Sequence, residues 1–125
     1  MTMSECIQPM PQLHEVWRMQ FRFEDQPNKY KERPVVIGAL SESTAEVFLL
    51  AVKVTSHSAR PDSPGEVVLQ DWQQAGLEKP SVARCSKHMV VPIQVFEGQR
   101  RYGKLSSRDA LAVEAALKEV GAPIV

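Results

Sequence analysis

The sequence predicts a mainly β, α+β domain: a small, strongly bent antiparallel barrel with one α-helix at its C-terminal end. Three observations predict it. About six short segments rich in β-branched and aromatic residues recur between turn-forming stretches of Gly, Pro, Asn and Asp. A full helical pattern with caps at both ends occurs near the C-terminus, between Ser106 and Gly121. The chain has 125 residues, 43% hydrophobic and 24% charged, which suits one domain with one core.

In chain order, residues 1–12 contain two prolines and little pattern. They read as a flexible lead-in, leaving 13–125 as a single domain. "EVWRMQF" alternates and carries aromatic and β-branched residues, as a strand does. "EDQPNKYKE" is a polar loop. "RPVVIGAL" is the second strand, opened by Pro34, which need not donate at a first position, and ended or bent by Gly38. "AEVFLLAVKVTSH", Ala45 to His57, is the longest strand, and its continuous apolar middle predicts burial on both faces. "SARPDSPG" is a loop and "EVVL" a short strand. Asp71 is placed to cap a short helical turn, "WQQAG", closed by Gly76. "SVARCSKHMVV" returns as a strand, and "PIQVFEGQRRYGKL" reads as strand, turn at Glu97-Gly98, and strand. Ser106 or Ser107 then caps the helix, with Asp109 favoured in its first turn by the macrodipole. Leu111, Ala115 and Val120, beside Val113 and Leu117, form the expected apolar stripe, and Gly121 ends the helix.

The formal net charge is zero, so composition gives no general affinity for polyanions, and any such site must be a local patch. Cys6 and Cys85 have no zinc or redox spacing. His14, His57 and His88 are scattered. Clustered metal ligands, phosphate-binding glycine loops and dinucleotide fingerprints are all lacking in the sequence, so no cofactor and no metal is expected. With neither a membrane-length apolar run nor a signal-peptide pattern, a cytoplasmic protein is the expectation.

What remains is chemistry at strand ends. Arg33 precedes Pro34, so its backbone is held extended and its side chain leaves in a fixed direction. With Lys29 and Lys31 it can hold a phosphate through planar, bidentate donors, or it can pair with Glu32 or Glu24. In "KVTSH", Thr55 and His57 share one face and Ser56 takes the other. Thr55 can hydrogen-bond a phosphate oxygen or a 2′-hydroxyl, and an imidazole at His57 is of the type that titrates near neutral pH.

The order "VWRMQFRFEDQPNKYKERPVVIG", "VKVTSH", "GEVVLQDWQQAGLEKPSVARCSKHMV", "YGKLSSRDALAVEAALKEV" resembles the PemK/MazF family of toxin ribonucleases. The resemblance runs from about His14 to the C-terminal helix and is strongest in "K-x-R-P", "TS", "DWQQAGLEKPSVAR" and "G-K-L-S". It implies an SH3-like barrel with a C-terminal helix, usually a homodimer, held inactive by a cognate antitoxin. It also implies metal-independent cleavage of single-stranded RNA to a 2′,3′-cyclic phosphate and a 5′-hydroxyl. Arg33 matches the family's arginine before proline, Thr55 its threonine at the end of the third strand, and Ser56 the adjacent serine. His57 is a further candidate for proton transfer. Lys29, Tyr30, Lys31, Arg60, Arg84 and Lys87 are the candidate RNA contacts, Tyr30 as a stacking ring, with Arg100 and Arg101 among the cations nearby in sequence. Loops 24–32 and 58–65 are expected to read the RNA sequence. The chain departs from the family where the first strand usually begins with Gly-Asp; here the pair is His14-Glu15. The alternative is a decayed toxin, a non-catalytic SH3-like module binding nucleic acid or peptide.

Overall fold

The alternating segment Glu15–Arg22 forms strand β1 in a computed structural model of the chain, which describes residues 10–22, 28–42, 47–56 and 64–123. Five more strands follow: β2 (Tyr30–Glu42), β3 (Val47–Thr55), β4 (Glu66–Val68), β5 (Val82–Pro92) and β6 (Arg101–Lys104). All pair antiparallel in one sheet of order β4-β5-β3-β2-β1-β6. Helix α1 (Ser107–Glu119) closes the fold. The architecture is the expected one, a curled sheet carrying a C-terminal helix.

Irregularities in register curl the sheet. Ladders shift between Ile37 and Ala39, between Val52 and Lys53, and between Val16 and Trp17, and each bulge adds bend and twist. Gly38 stands at the first shift, where a Cβ would come within 2.8 Å of Leu117 Cδ1. Its bare backbone therefore lets α1 lie close on β2.

Alternate residues of the central strands enter two separate cores. Val16, Val36, Val52 and Val54 face Ala110, Val113 and Leu117 of α1. Trp17, Met19, Val35, Ile37, Leu49 and Ala51 form the other core with Phe96. Hence the apolar run of β3 is buried on both sides. Phe96 meets Trp17 edge-on, with ring centroids 6.0 Å apart, an arrangement aromatic pairs favour.

Several elements differ from the sequence reading. Pro34 does not open its strand. It lies inside β2, opposite Arg18 of β1, while pairing with β3 begins only at Val35. Residues Ile93–Phe96 form a short 3-10 helix rather than a strand, and this turn carries Phe96 under Trp17. The helix also faces inward differently. Asp109, Ala110, Val113, Ala116 and Leu117 are buried, whereas Leu111 is 66% exposed and Ala115 is exposed as well. Rotation is set by Asp109, whose carboxylate accepts the backbone N–H groups of Gln70 at 2.9 Å and Asp71 at 2.8 Å. A buried carboxylate needs such charge-assisted partners.

Asp71, expected to cap the turn after it, instead receives a bidentate pair of hydrogen bonds from Arg108, both 2.8 Å, and one from the Ser106 hydroxyl. Residues 71–77 form hydrogen-bonded turns, with Ala75 N–H donating to Asp71 O and Leu77 N–H to Trp72 O. Gly76, at φ +87°, ends them. Its main chain lies directly against β6: a Cβ on Gly76 would be 2.1 Å from Tyr102 O, and one on Gly103 would be 2.5 Å from Ala75 O. Two glycines thus lock two backbones together.

The start of β1 is also built around strain and charge. His14 takes φ +69°, the left-handed region in which His is tolerated better than most residues. Its Nε2 lies 2.8 Å from Glu114 Oε1 of α1, without the alignment of a hydrogen bond. Glu15 is buried and accepts from Trp17 Nε1, the Gln12 N–H and Arg101. Burial alone would raise its carboxyl, but these donors prevail and hold it below the ordinary value. Of the expected lead-in, Pro11 is buried, while residues 1–9 lie outside the described residues. Among the described residues no helix is long and apolar enough to cross a membrane.

Candidate functional site

The end of β1, the start of β2, the end of β3 and the start of β5 all lie at one end of the sheet. Here β2 and β3 separate beyond the Val35–Lys53 pair. Arg33 and Thr55 lie just past this separation, each two residues along the chain from the last pair. Both line a groove of about 530 Å³. Consecutive residues 31–34 and 53–56 reach it, so the groove wraps the strand ends rather than lying on one face of the sheet. Its far wall is residues 77–79 and Ser81, with Arg100 and Tyr102 beside them. That wall is positioned by the Asp109 hydrogen bonds and the Gly76–Gly103 contact.

On a chain of zero net charge, this groove gathers Lys31, Arg33, Lys53, Lys79, Arg84 and Arg100 against only Glu32 and Glu78. Of these acids, Glu32 is drawn to Arg18, at 3.1 Å. Among the described residues the Arg33 guanidinium has no ion pair or side-chain hydrogen bond, and it is exposed. Its pairing with Glu32, one of the two partners the sequence allowed, is therefore not made; Glu24, the other, lies outside the described residues. Arg84 is different. It is tied at 3.0 Å to Glu66, whose side chain is only 4% exposed.

The structure thus brings together Arg33, Thr55, Ser56, Lys31, Arg84 and Arg100 of the residues singled out in the sequence. Lys29, Tyr30 and Lys87 are exposed but do not line the groove, and His57 and Arg60 lie outside the described residues. Among the lining residues that the sequence reading missed are Lys53, Lys79 and Tyr102. Lys53 sits two residues before Thr55 in β3, and the period of a strand could have found it. Lys79 and Tyr102 could not be found that way, because only tertiary packing carries their segments to the strand ends. Among the described residues, no three His, Cys, Asp or Glu side chains gather as metal ligands would.

Behind the wall, Arg108 and Ser106 hold the Asp71 carboxyl down to about 2, and the same pairing raises Arg108. The Cys85 thiol, buried beneath β5 and α1, is pushed up to about 11 by desolvation. These groups maintain the scaffold, whereas the groove itself presents cations and hydroxyls. Chemically that set suits a phosphodiester: fixed positive charge for the phosphoryl oxygens, with hydroxyls of Thr55 and Ser56 in the same groove.

A family model described as PemK-like, MazF-like toxin of type II toxin-antitoxin system matches residues 13–121. Solved structures share the fold. MazE-MazF (Form-II) from Deinococcus radiodurans aligns with a TM-score of 0.65 at 14% identity, covering 90% of this chain and 96% of that one. An endoribonuclease in complex with its cognate antitoxin, from Mycobacterial species, gives 0.61 at 15% identity over 92% and 99%. Mycobacterium tuberculosis toxin MazF-mt6 gives 0.53 at 18% identity over 85% and 94%. No curated protein matches the chain.

Proposed function

We propose that this chain, which belongs to the PemK-like, MazF-like family of type II toxin–antitoxin toxins, is an endoribonuclease that cuts single-stranded RNA in the groove at Arg33 and Thr55. One observation carries the reading. Arg33, free of any carboxylate among the described residues, lines a cationic groove together with Thr55 on an otherwise neutral protein.

In the proposed reaction the 2′-oxygen attacks its own 3′-phosphorus and the bond to the 5′-oxygen breaks. The 2′-hydroxyl loses a proton and the departing 5′-oxygen gains one. Products are a 2′,3′-cyclic phosphate and a 5′-hydroxyl. Negative charge grows on the phosphoryl oxygens at the transition state, and a preorganised guanidinium stabilises it there more than in the ground state. A guanidinium keeps its proton, so Arg33 acts as a hydrogen-bond donor and not as a base. Thr55 holds a phosphoryl oxygen or the attacking hydroxyl, and Ser56 lies beside it. Lys31, Lys53 and Lys79 give the RNA backbone its electrostatic hold. His57 remains the candidate proton carrier.

The same groove explains a partner. A cognate antitoxin with an acidic, extended or helical tail and apolar anchors would occupy it and exclude RNA. A homodimer and a cytoplasmic site of action complete the reading. The test is incubation of purified protein with mixed single-stranded RNA in EDTA, followed by mapping of the ends. Cuts bearing cyclic phosphate and 5′-hydroxyl ends are the expected result. Intact RNA, or cuts that need metal and leave 5′-phosphates, would overturn it.

A further inference from the structure

Both aromatic rings that line the groove carry a cation. Lys53 Nζ lies 5.0 Å from the Phe21 ring centre, and the Arg100 guanidinium carbon lies 5.1 Å from that of Tyr102. The two rings differ in setting. Phe21 packs against the Trp17 and Ile37 core. Tyr102 sits at the sheet edge on a main chain that Gly76 and Gly103 clamp, half-buried against the other core. Its ring is therefore placed by backbone contact and is ready before any ligand arrives, which lowers the entropy lost on binding.

Its position relative to Arg33 follows from the ladder. The Arg18 N–H donates to Arg100 O at 2.8 Å, and Arg18 pairs with Pro34. Arg100 is thus two strands from Pro34, roughly 10 Å at ordinary strand spacing. That is the reach from a bound phosphate to the base of a neighbouring nucleotide. Glu78, Lys79 and Ser81 stand on the wall beside the ring and offer donors and acceptors to a base edge. Bases stack on aromatic rings and on arginine planes, and unstacked RNA is read in this way.

We propose that Tyr102, with Arg100 above it, is a nucleobase-stacking subsite for the nucleotide beside the phosphate held at Arg33. The assignment rests on the ribonuclease reading and goes beyond it by locating where a base is gripped. Tyr30, the ring first suggested by the sequence, does not line the groove.

The test is an abasic scan. Cuts in mixed single-stranded RNA are mapped with the wild-type protein. An oligoribonucleotide spanning one cut is made with 2′-deoxyribose at the attacked position, which leaves it bound and uncut. Each flanking base is then removed in turn. For the wild type, removing one base beside the held phosphate lowers affinity by about 5- to 100-fold. Tyr102→Leu, and less steeply Arg100→Gln, weaken binding of the intact oligomer, and removing that base then has little further effect. Tyr102→Phe keeps the wild-type pattern. Should Tyr102→Leu fail to fold, Arg100→Gln at an exposed position carries the same comparison. Variants that cut RNA and retain the wild-type abasic pattern overturn the subsite alone. If no RNA is bound or cut by the wild type, both readings fall.

Discussion

Replacing Gly76 by alanine should disrupt the groove wall through the main chain rather than through any side-chain contact. At φ +87° an L-residue carries a penalty of about 1–2 kcal/mol. The added Cβ would also stand 2.1 Å from Tyr102 O, well inside the 3.0 Å that real Cβ atoms respect. β6 must therefore shift by nearly an ångström against a packed core, which costs roughly a further 1–3 kcal/mol. Together the loss is about 2–5 kcal/mol, a large share of a typical domain's 5–15. Gly98 supplies the control. It has φ +73°, yet a Cβ there meets nothing within 4 Å, so Gly98→Ala should carry the conformational penalty alone. Thermal unfolding of the two variants, followed by circular dichroism, measures the difference. Gly76→Ala should lower Tm by roughly 10–20 °C and Gly98→Ala by only about half as much or less. Equal losses in the two variants would refute the close-approach argument.

Four other outcomes are expected. Arg33→Ala should slow RNA cleavage by about 100- to 1000-fold with little change in Tm, because the residue is exposed; an equal fall in Tm would recast Arg33 as structural. Stability should decline on acidification: Glu15 is held below its ordinary 4.5 and Asp71 at about 2 against 3.8, so their contributions are present above those ordinary values and lost as pH falls through the folded ones. Glu15→Gln should flatten part of that limb in a Tm–pH series. The Cys85 thiol, held protonated to about 11 against an ordinary 9.0, gives the opposite sign: stability is full below 9.0 and falls as pH rises toward 11. In a Cys6→Ser background its labelling at pH 8 should require unfolding. Last, His14→Val should destabilise by about 1–2 kcal/mol, since a β-branched residue tolerates φ +69° worse than histidine does; urea titration reads it.

Much of this molecule was legible in its sequence because local rules governed it. Alternation located β1, a continuous apolar run located β3, and a serine at 106 or 107 and Gly121 bounded α1. Arg33 and Thr55 could be named from the Arg-Pro constraint and the strand end, and both line the same groove. Illegible features were those decided at long range. Asp109 looks like a first-turn acid on a solvated helix end, yet it turns inward because two amides some 38 and 39 residues upstream have no other partner of that strength. That rotation exposes Leu111, which apolar periodicity had assigned to the core. Pro34 reads as the start of a strand, but β1 continues alongside it, and only the β3 side is released. His14 takes a left-handed backbone at φ +69°, which a rule about turn residues would not have assigned to it.

The Asp109 clamp has a consequence for synthesis. Every groove residue precedes Gly103, so a nascent chain halted there already contains all of them. It still lacks the carboxylate that fastens residues 70 and 71 and sets the opposite wall. A chain without its closing helix therefore carries every lining residue of the groove and lacks the fastening of residues 70 and 71.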